Sequence, residues 1–151
     1  MIDPSDRDRP ILREVRESDI PFFFEYQSDP EAAEMAAFTP RERDEVHGRW
    51  LRMMANVAIT PRTVVVGESV AGHLVSWVED DGHREVGYWL GRQFWGKGVA
   101  SAALGDFLKI VTDRPVEGWI APHNAGSARV LEKNGFTFVR VDGEFRVYRL
   151  G

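Results

Sequence analysis

Residues 84–104 read REVGYWLGRQFWGKGVASAAL. Arg84 to Leu90 alternates as a strand does, and Gly98 to Thr112 carries Val99, Ala103, Phe107 and Ile110 along one helical stripe. Gly91, Gly96 and Gly98 fall in the connection between them. Glycines there admit backbone angles barred to other residues and let exposed N–H groups approach an anion at the positive end of the helix dipole. A ligand bearing phosphate is therefore one reading, and a plain glycine-rich turn is the other. Gly91, Gly96 and Lys97 satisfy the opening of a P-loop, but position 98 is Gly where a hydroxyl must reach magnesium. Gly96 and Gly98 fit a dinucleotide fingerprint, with Ser101 where a third glycine or alanine belongs and Glu117 at ribose distance. Only a little over 50 residues follow Gly96, too few for full parallel βαβ units.

Outward from this stretch the pattern is mixed. Ile11–Arg16 reads as a strand. Ser18, Asp19 and Pro21 open a helix through Gln27, and Ser28-Asp29-Pro30 restarts a short one ending near Thr39-Pro40. Val46, Trp50, Met53, Met54 and Val57 mark an amphipathic helix over Arg41–Asn56. Thr63–Val66, Val70–Val78 and Arg84–Leu90 form an antiparallel meander through turns at Gly67-Glu68 and residues 80–83. Val116–Ile120 is a short buried strand, and Asn124 caps a helix over Ala125–Asn134 that leaves through Gly135. Phe136–Val141 and Phe145–Leu150 make a hairpin through Asp142-Gly143. The order is β-α-α-β-β-β-α-β-α-β-β. It predicts an α/β (α+β) fold whose mixed, mostly antiparallel sheet of about seven strands has helices on both faces.

The chain has 151 residues, 43% hydrophobic and 28% charged, which is ordinary globular usage. One domain over 1–151 is expected, with Met1–Pro10 a frayed N-terminus rather than a signal peptide, since it has no apolar core. Without cysteine there is no disulfide, thiolate metal site or thiol nucleophile, and the simplest address is the cytoplasm. The net charge of −5 argues against a general nucleic-acid binder. No apolar run reaches the roughly 20 residues a membrane span needs. His47, His73, His83 and His123 lack metal-ligand spacing, so no metal is expected and each reads as a surface or satisfied histidine. Trp50, Trp77 and Trp119 read as packing.

The stretch at 84–104 resembles the acetyl-CoA-binding segment of GNAT N-acetyltransferases, whose signature is Q/R-x-x-G-x-G/A. Starting at Gln93 gives Gly96 and Gly98; starting at Trp95 gives Gly98 and Ala100, with Trp replacing Gln or Arg. The second register keeps the family spacing from strand to helix. A second block, NAGSARVLEKNGF at 124–136, is similar to the family's N-x-x-S-x-x-V-L-E-K-x-G-F segment. With GYWL ahead of the loop, this is the form of the branch that includes ribosomal-protein N-terminal (RimJ/RimL-like) acetyltransferases. The resemblance spans nearly the whole chain.

It implies a GNAT-type acyl-CoA N-acyltransferase fold and transfer of acetyl from acetyl-CoA, a cosubstrate, to a primary amine on a protein N-terminus or a small molecule. The cofactor-binding residues it implies are Trp89, Leu90, Trp95, Gly96, Lys97, Gly98, Val99, Ala100, Asn124 and Arg129. Phosphates would meet mainly main-chain N–H groups, with amides near Trp89 and Leu90 facing the thioester. An attacking amine must shed a proton, because a lysine-like amine has a pKa of about 10.4. Glu85 stands where the branch often uses a glutamate base; alternatively it is an exposed strand carboxylate paired with Arg84 or a neighbouring strand. Many relatives protonate the departing thiolate with a tyrosine at the position that here is Leu131, and leucine has no proton to give. Ser127 is the branch's alternative donor, or else a helix-start serine bonded to local backbone. The competing reading is a non-catalytic acyl-CoA-binding sensor or interaction module; a homodimer is left open.

Overall fold

The computed structural model describes residues 9–151. Of the stretch expected to fray, residues 1–8 lie outside the described residues, whereas Pro10 is buried at the entry to the first strand, so the expectation fails there. The elements are β1 (Ile11–Arg13), a 3-10 turn (Glu17–Asp19), α1 (Ile20–Gln27), α2 (Pro30–Met35), α3 (Arg43–Ala55), β2 (Thr60–Val66), β3 (Ser69–Val78) and β4 (Arg84–Leu90). After a second 3-10 turn (Arg92–Phe94) come α4 (Val99–Ile110), β5 (Val116–Ile120), α5 (Ala125–Lys133), β6 (Thr137–Asp142) and β7 (Phe145–Leu150).

All seven strands join one sheet in the order β1-β2-β3-β4-β5-β7-β6. Every pairing is antiparallel except β4 with β5, which run parallel. That parallel pairing holds only at Arg84↔Val116 and Glu85↔Glu117. Beyond it the two strands diverge, and a wedge opens in the middle of the sheet.

Helices cover both faces. On one, α4 and α5 close a core that includes Val86, Leu90, Leu104, Phe107, Val116 and Leu131. On the other, α1 and α3 bury Ile20, Phe23, Val46 and Trp50 against Val75. The buried stripe of α4 is Val99, Ala103, Leu104, Phe107 and Leu108, continued by Val111, while Ile110 is largely exposed. The 3.6-residue period places Ile110 between Val99 and Ala103 on the wheel, but it is the last residue of the helix and is exposed there. Val57 lies beyond the end of α3 and is fully exposed, so that stripe stops at Met54. Gly118 is needed where α5 meets β5: a Cβ there would sit 2.8 Å from Leu131 Cδ2. The helix lies close on the strand, and Leu131 is completely buried as a result.

Candidate active site

Two cavities meet at the wedge. The larger, about 560 Å³, is a groove bounded by α2, the end of β4, the glycine connection, the start of α4 and the start of α5. The smaller, about 100 Å³, lies in the wedge itself, between Val86–Tyr88 of β4 and Gly118–Ile120 of β5. Ala36, Tyr88, Asn124 and Ser127 line both. A bond between His123 Nε2 and the Glu34 carbonyl, 2.8 Å, ties α2 to the loop before α5 and spans the groove wall.

The groove has the chemistry of an anion site at the α4 end. Gly98 is the N-cap residue in the left-handed region (φ 77°), with no side-chain cap. The first main-chain N–H bonded back across the helix start is that of Ala102, to Gly98. The amides of Val99, Ala100 and Ser101 are therefore the orphan donors of the first turn, at the positive end of the dipole. A Cβ built on Gly96 or Gly98 meets nothing within 4 Å among the described residues beyond its chain neighbours, so the absent side chains leave the backbone open to a ligand. Arg129 and Lys133 add cations from α5.

Of the residues expected to hold the coenzyme, Trp89, Leu90, Trp95, Gly96, Gly98, Val99, Ala100, Asn124 and Arg129 line this groove. Lys97 is exposed and does not line it. Trp95 anchors its ring by donating from Nε1 to the Leu90 carbonyl (3.2 Å). Gln93 turns elsewhere, its amide 3.4 Å from the Tyr26 hydroxyl.

At the start of α5, Asn124 Oδ1 accepts from the Ser127 N–H at 3.1 Å, the expected cap. The Ser127 carbonyl accepts from Tyr88 Oη at 3.2 Å, and its hydroxyl is bonded to no other described residue. Tyr88 thus reaches from β4 to α5 beneath the wedge. Burial pushes its pKa up to about 12, with the Ser127 contact pulling the other way, so the phenol stays a donor.

Glu85 lies outside both cavities, on the sheet face opposite α4, two residues before Gly87, which lines the wedge on that face. It is buried, not exposed, and it is not paired with Arg84. Arg84 instead reaches Ser76 Oγ and Asp113. The Glu85 carboxylate meets His83 Nε2 at 2.8 Å, and burial raises its pKa, opposed by His83 and reinforced by Glu79. Parallel register sets Glu117 beside it. Glu117 accepts from Arg140, Arg149 and Trp119; burial disfavours its charge, yet these donors prevail and bring its pKa down to about 2.

Sequence reasoning missed Tyr88, His83 and Glu117 as parts of this neighbourhood. For Tyr88 the signal was available in the alternation of β4, which puts it two residues from Leu90 and Val86 on the α4 face. Glu117 needed the β4–β5 register, which no local pattern carries.

The acetyltransferase (GNAT) domain model matches residues 9–137. An uncharacterised N-acetyltransferase, p20 of Bacillus licheniformis, is 26% identical over 144 residues, covering 85% of this chain and 79% of its own. Among solved structures, a GNAT acetyltransferase from Bacillus anthracis superposes at TM-score 0.77 with 18% identity, covering 93% of this chain and 92% of that one. AAC(6')-Ib in complex with paromomycin and acetyl-CoA superposes at 0.79 with 20% identity (94% and 92%). Spermidine N-acetyltransferase from Vibrio cholerae, in complex with CoA and spermine, does so at 0.77 with 16% identity (93% of each). Among the described residues no helix is long and apolar enough to cross a membrane. By its matched domain, its N-acetyltransferase relative and its architecture, the chain belongs to the GNAT acetyltransferase family and is an acetyl-CoA-dependent acyltransferase.

Proposed function

We propose that this chain, as one acetyltransferase domain of the RimJ/RimL-like branch, acetylates a primary amine by direct attack within a ternary complex. The observation that carries this reading is the meeting of the two cavities at the β4–β5 wedge. The groove offers orphan amides and cations for a diphosphate, and the wedge offers a 100 Å³ chamber for a small acyl group. The amine would enter from the face that carries Glu85, and the coenzyme from the α4–α5 side. Polyamine and aminoglycoside ligands in complexes of similar folds support a small amine as the acceptor class.

In this assignment Val99, Ala100 and Ser101 bind phosphate through main-chain N–H groups, with Gly96 and Gly98 keeping the approach open. Trp89, Leu90, Trp95, Asn124 and Arg129 line the path of the remaining coenzyme. Glu85 takes the proton that the ammonium form of the acceptor must lose. Its raised pKa makes it a stronger base than an exposed carboxylate. Ser127, a residue that lines both cavities, serves through its hydroxyl as donor to the departing thiolate, where Leu131 has none. The nucleophile, the displaced thiol and the transferred acetyl balance without a redox partner.

The test joins coenzyme binding by calorimetry to thiol release from acetyl-CoA across polyamines, aminoglycosides and peptides with free N-termini. Micromolar coenzyme binding and turnover on at least one class are expected. A coenzyme-dependent rise in melting temperature with no turnover on any amine would favour the sensor instead. Glu85→Gln should cut turnover by about 10²-fold, a typical general-base effect, with partial recovery at high pH where amine is already neutral. An unchanged pH–rate profile would remove Glu85 as base.

A further inference from the structure

The turn between β3 and β4 is built around one imidazole. Gly82 N donates to the Glu79 carbonyl at 2.8 Å, Glu79 N to the His83 carbonyl at 2.9 Å, and His83 N to Asp81 Oδ1 at 3.0 Å. Gly82 sits at φ 92°, which closes the turn. The His83 ring is then held on three sides. Nε2 meets Glu85 at 2.8 Å, Nδ1 meets Asp81 Oδ1, and the ring stacks on Trp119 with centroids 5.7 Å apart and planes within 13°. Accessibility rises outward along this row: the side chain of Glu85 is 12% exposed, His83 25% and Asp81 70%. A buried carboxylate is thereby connected to solvent through a single oriented ring.

We propose that His83 is a positioning residue that acts through Glu85, fixing its carboxylate and carrying the proton taken from the acceptor out to Asp81 and water. This rests on the reading of Glu85 as base. Glu85 takes one proton from the ammonium group and leaves the amine lone pair free. The carboxylic acid passes that proton to Nε2 of neutral His83, and the imidazolium releases its Nδ1 proton to Asp81 and bulk water. Exchange of the ring tautomer with solvent at the exposed edge resets the path. Each transfer moves one proton and no electrons, so no co-reactant is required.

The charged groups around the ring are consistent with this use. Asp81 in the turn, Glu85 on β4 and Glu117 on β5 (3.9 Å from Nε2) face it, and Glu79, just after β3, faces the Glu85 carboxylate. Arg140 and Arg149 from β6 and β7 occupy Glu117, which leaves Glu85 and Asp81 as the ring's close partners. Burial opposes the imidazolium, but the bonds to Glu85 and Asp81 outweigh it and raise the pKa of His83.

The experiment compares the full chain with His83→Gln, His83→Ala and Glu85→Gln, by pH–rate profiles in dilute buffer with and without added imidazole. Thermal melts and coenzyme affinity report on folding. His83→Gln and His83→Ala are expected to lose about tenfold or more in kcat with KM for acetyl-CoA retained, and imidazole should restore much of the loss in His83→Ala. Wild-type kcat and profile in both His83 variants, with Glu85→Gln slow, would overturn the relay and leave the base intact. A loss that imidazole does not recover overturns it too, as a structural effect. Wild-type behaviour of Glu85→Gln would instead overturn the base, and the relay with it.

Discussion

At the scale of the residue, Gly98 concentrates the conformational demand of the site. Its φ of 77° is a left-handed angle, worth roughly 1–2 kcal/mol against an L side chain and more against a β-branched one. Apart from its chain neighbours, no atom of the described residues lies within 4 Å of where a Cβ would stand, so a side chain there would meet the open groove that Gly98 lines. Gly98→Val should lower stability by about 2 kcal/mol in urea unfolding and weaken coenzyme binding at least tenfold by calorimetry. Gly67→Ala, at φ 62° in the β2–β3 turn, should show a comparable backbone penalty with coenzyme affinity retained. Equal affinities in both variants would place the phosphates elsewhere. The glycine connection was legible in sequence because its requirement is local: a backbone angle needs glycine wherever the rest of the chain lies. His83 was not legible, because a histidine in a turn gains its role from Glu85, Asp81 and Trp119, and Trp119 comes from another strand.

At the scale of the element, α5 couples stability to the site through its first turn. Asn124 caps Ser127 N, and Tyr88 docks on the Ser127 carbonyl. Asn124→Ala should remove about 1 kcal/mol of stability, a fall in Tm of roughly 2–4 °C for a chain of this length. Asn124→Ser restores an oxygen able to cap, so stability should return in that variant while coenzyme affinity stays reduced. Recovery of both would confine Asn124 to capping. Elements of this kind were read well from periodicity and caps, including Arg84–Leu90, Val116–Ile120 and Phe145–Leu150. Errors gathered at helix ends: Ile110 and Val57 are apolar and close to the right spacing, yet each lies where the helix no longer faces the sheet. The parallel contact of β4 with β5 is the part sequence could not place, since two residue pairs set it and α4 separates them along the chain.

At the scale of the whole molecule, the sheet face opposite α4 carries three buried groups, His73, Glu85 and Glu117, that respond to acid differently. Under α1 and α3, His73 is buried between the rings of Phe23 and Trp50, and neither ring nitrogen has a partner among the described residues. Burial alone lowers its pKa from 6.5 to about 3. The unfolded chain therefore takes up a proton at His73 that the fold refuses, and stability falls as pH drops through 6.5 until about 3. Glu117 adds a second, lower window: its stabilisation is complete above 4.5 and is lost as pH falls toward 2. Glu85, with a raised pKa, works in the opposite sense. Below pH 6.5 one refused proton changes stability by about 1.4 kcal/mol per pH unit. His73→Phe keeps an aromatic ring in the cage and removes the titration. Between pH 7.0 and pH 5.0, acidification should cost the parent protein about 2 kcal/mol more unfolding free energy in urea than it costs His73→Phe. Parallel stability curves for the two proteins over that range would mean that the fold accepts the proton at His73, since the Glu117 window opens only below 4.5.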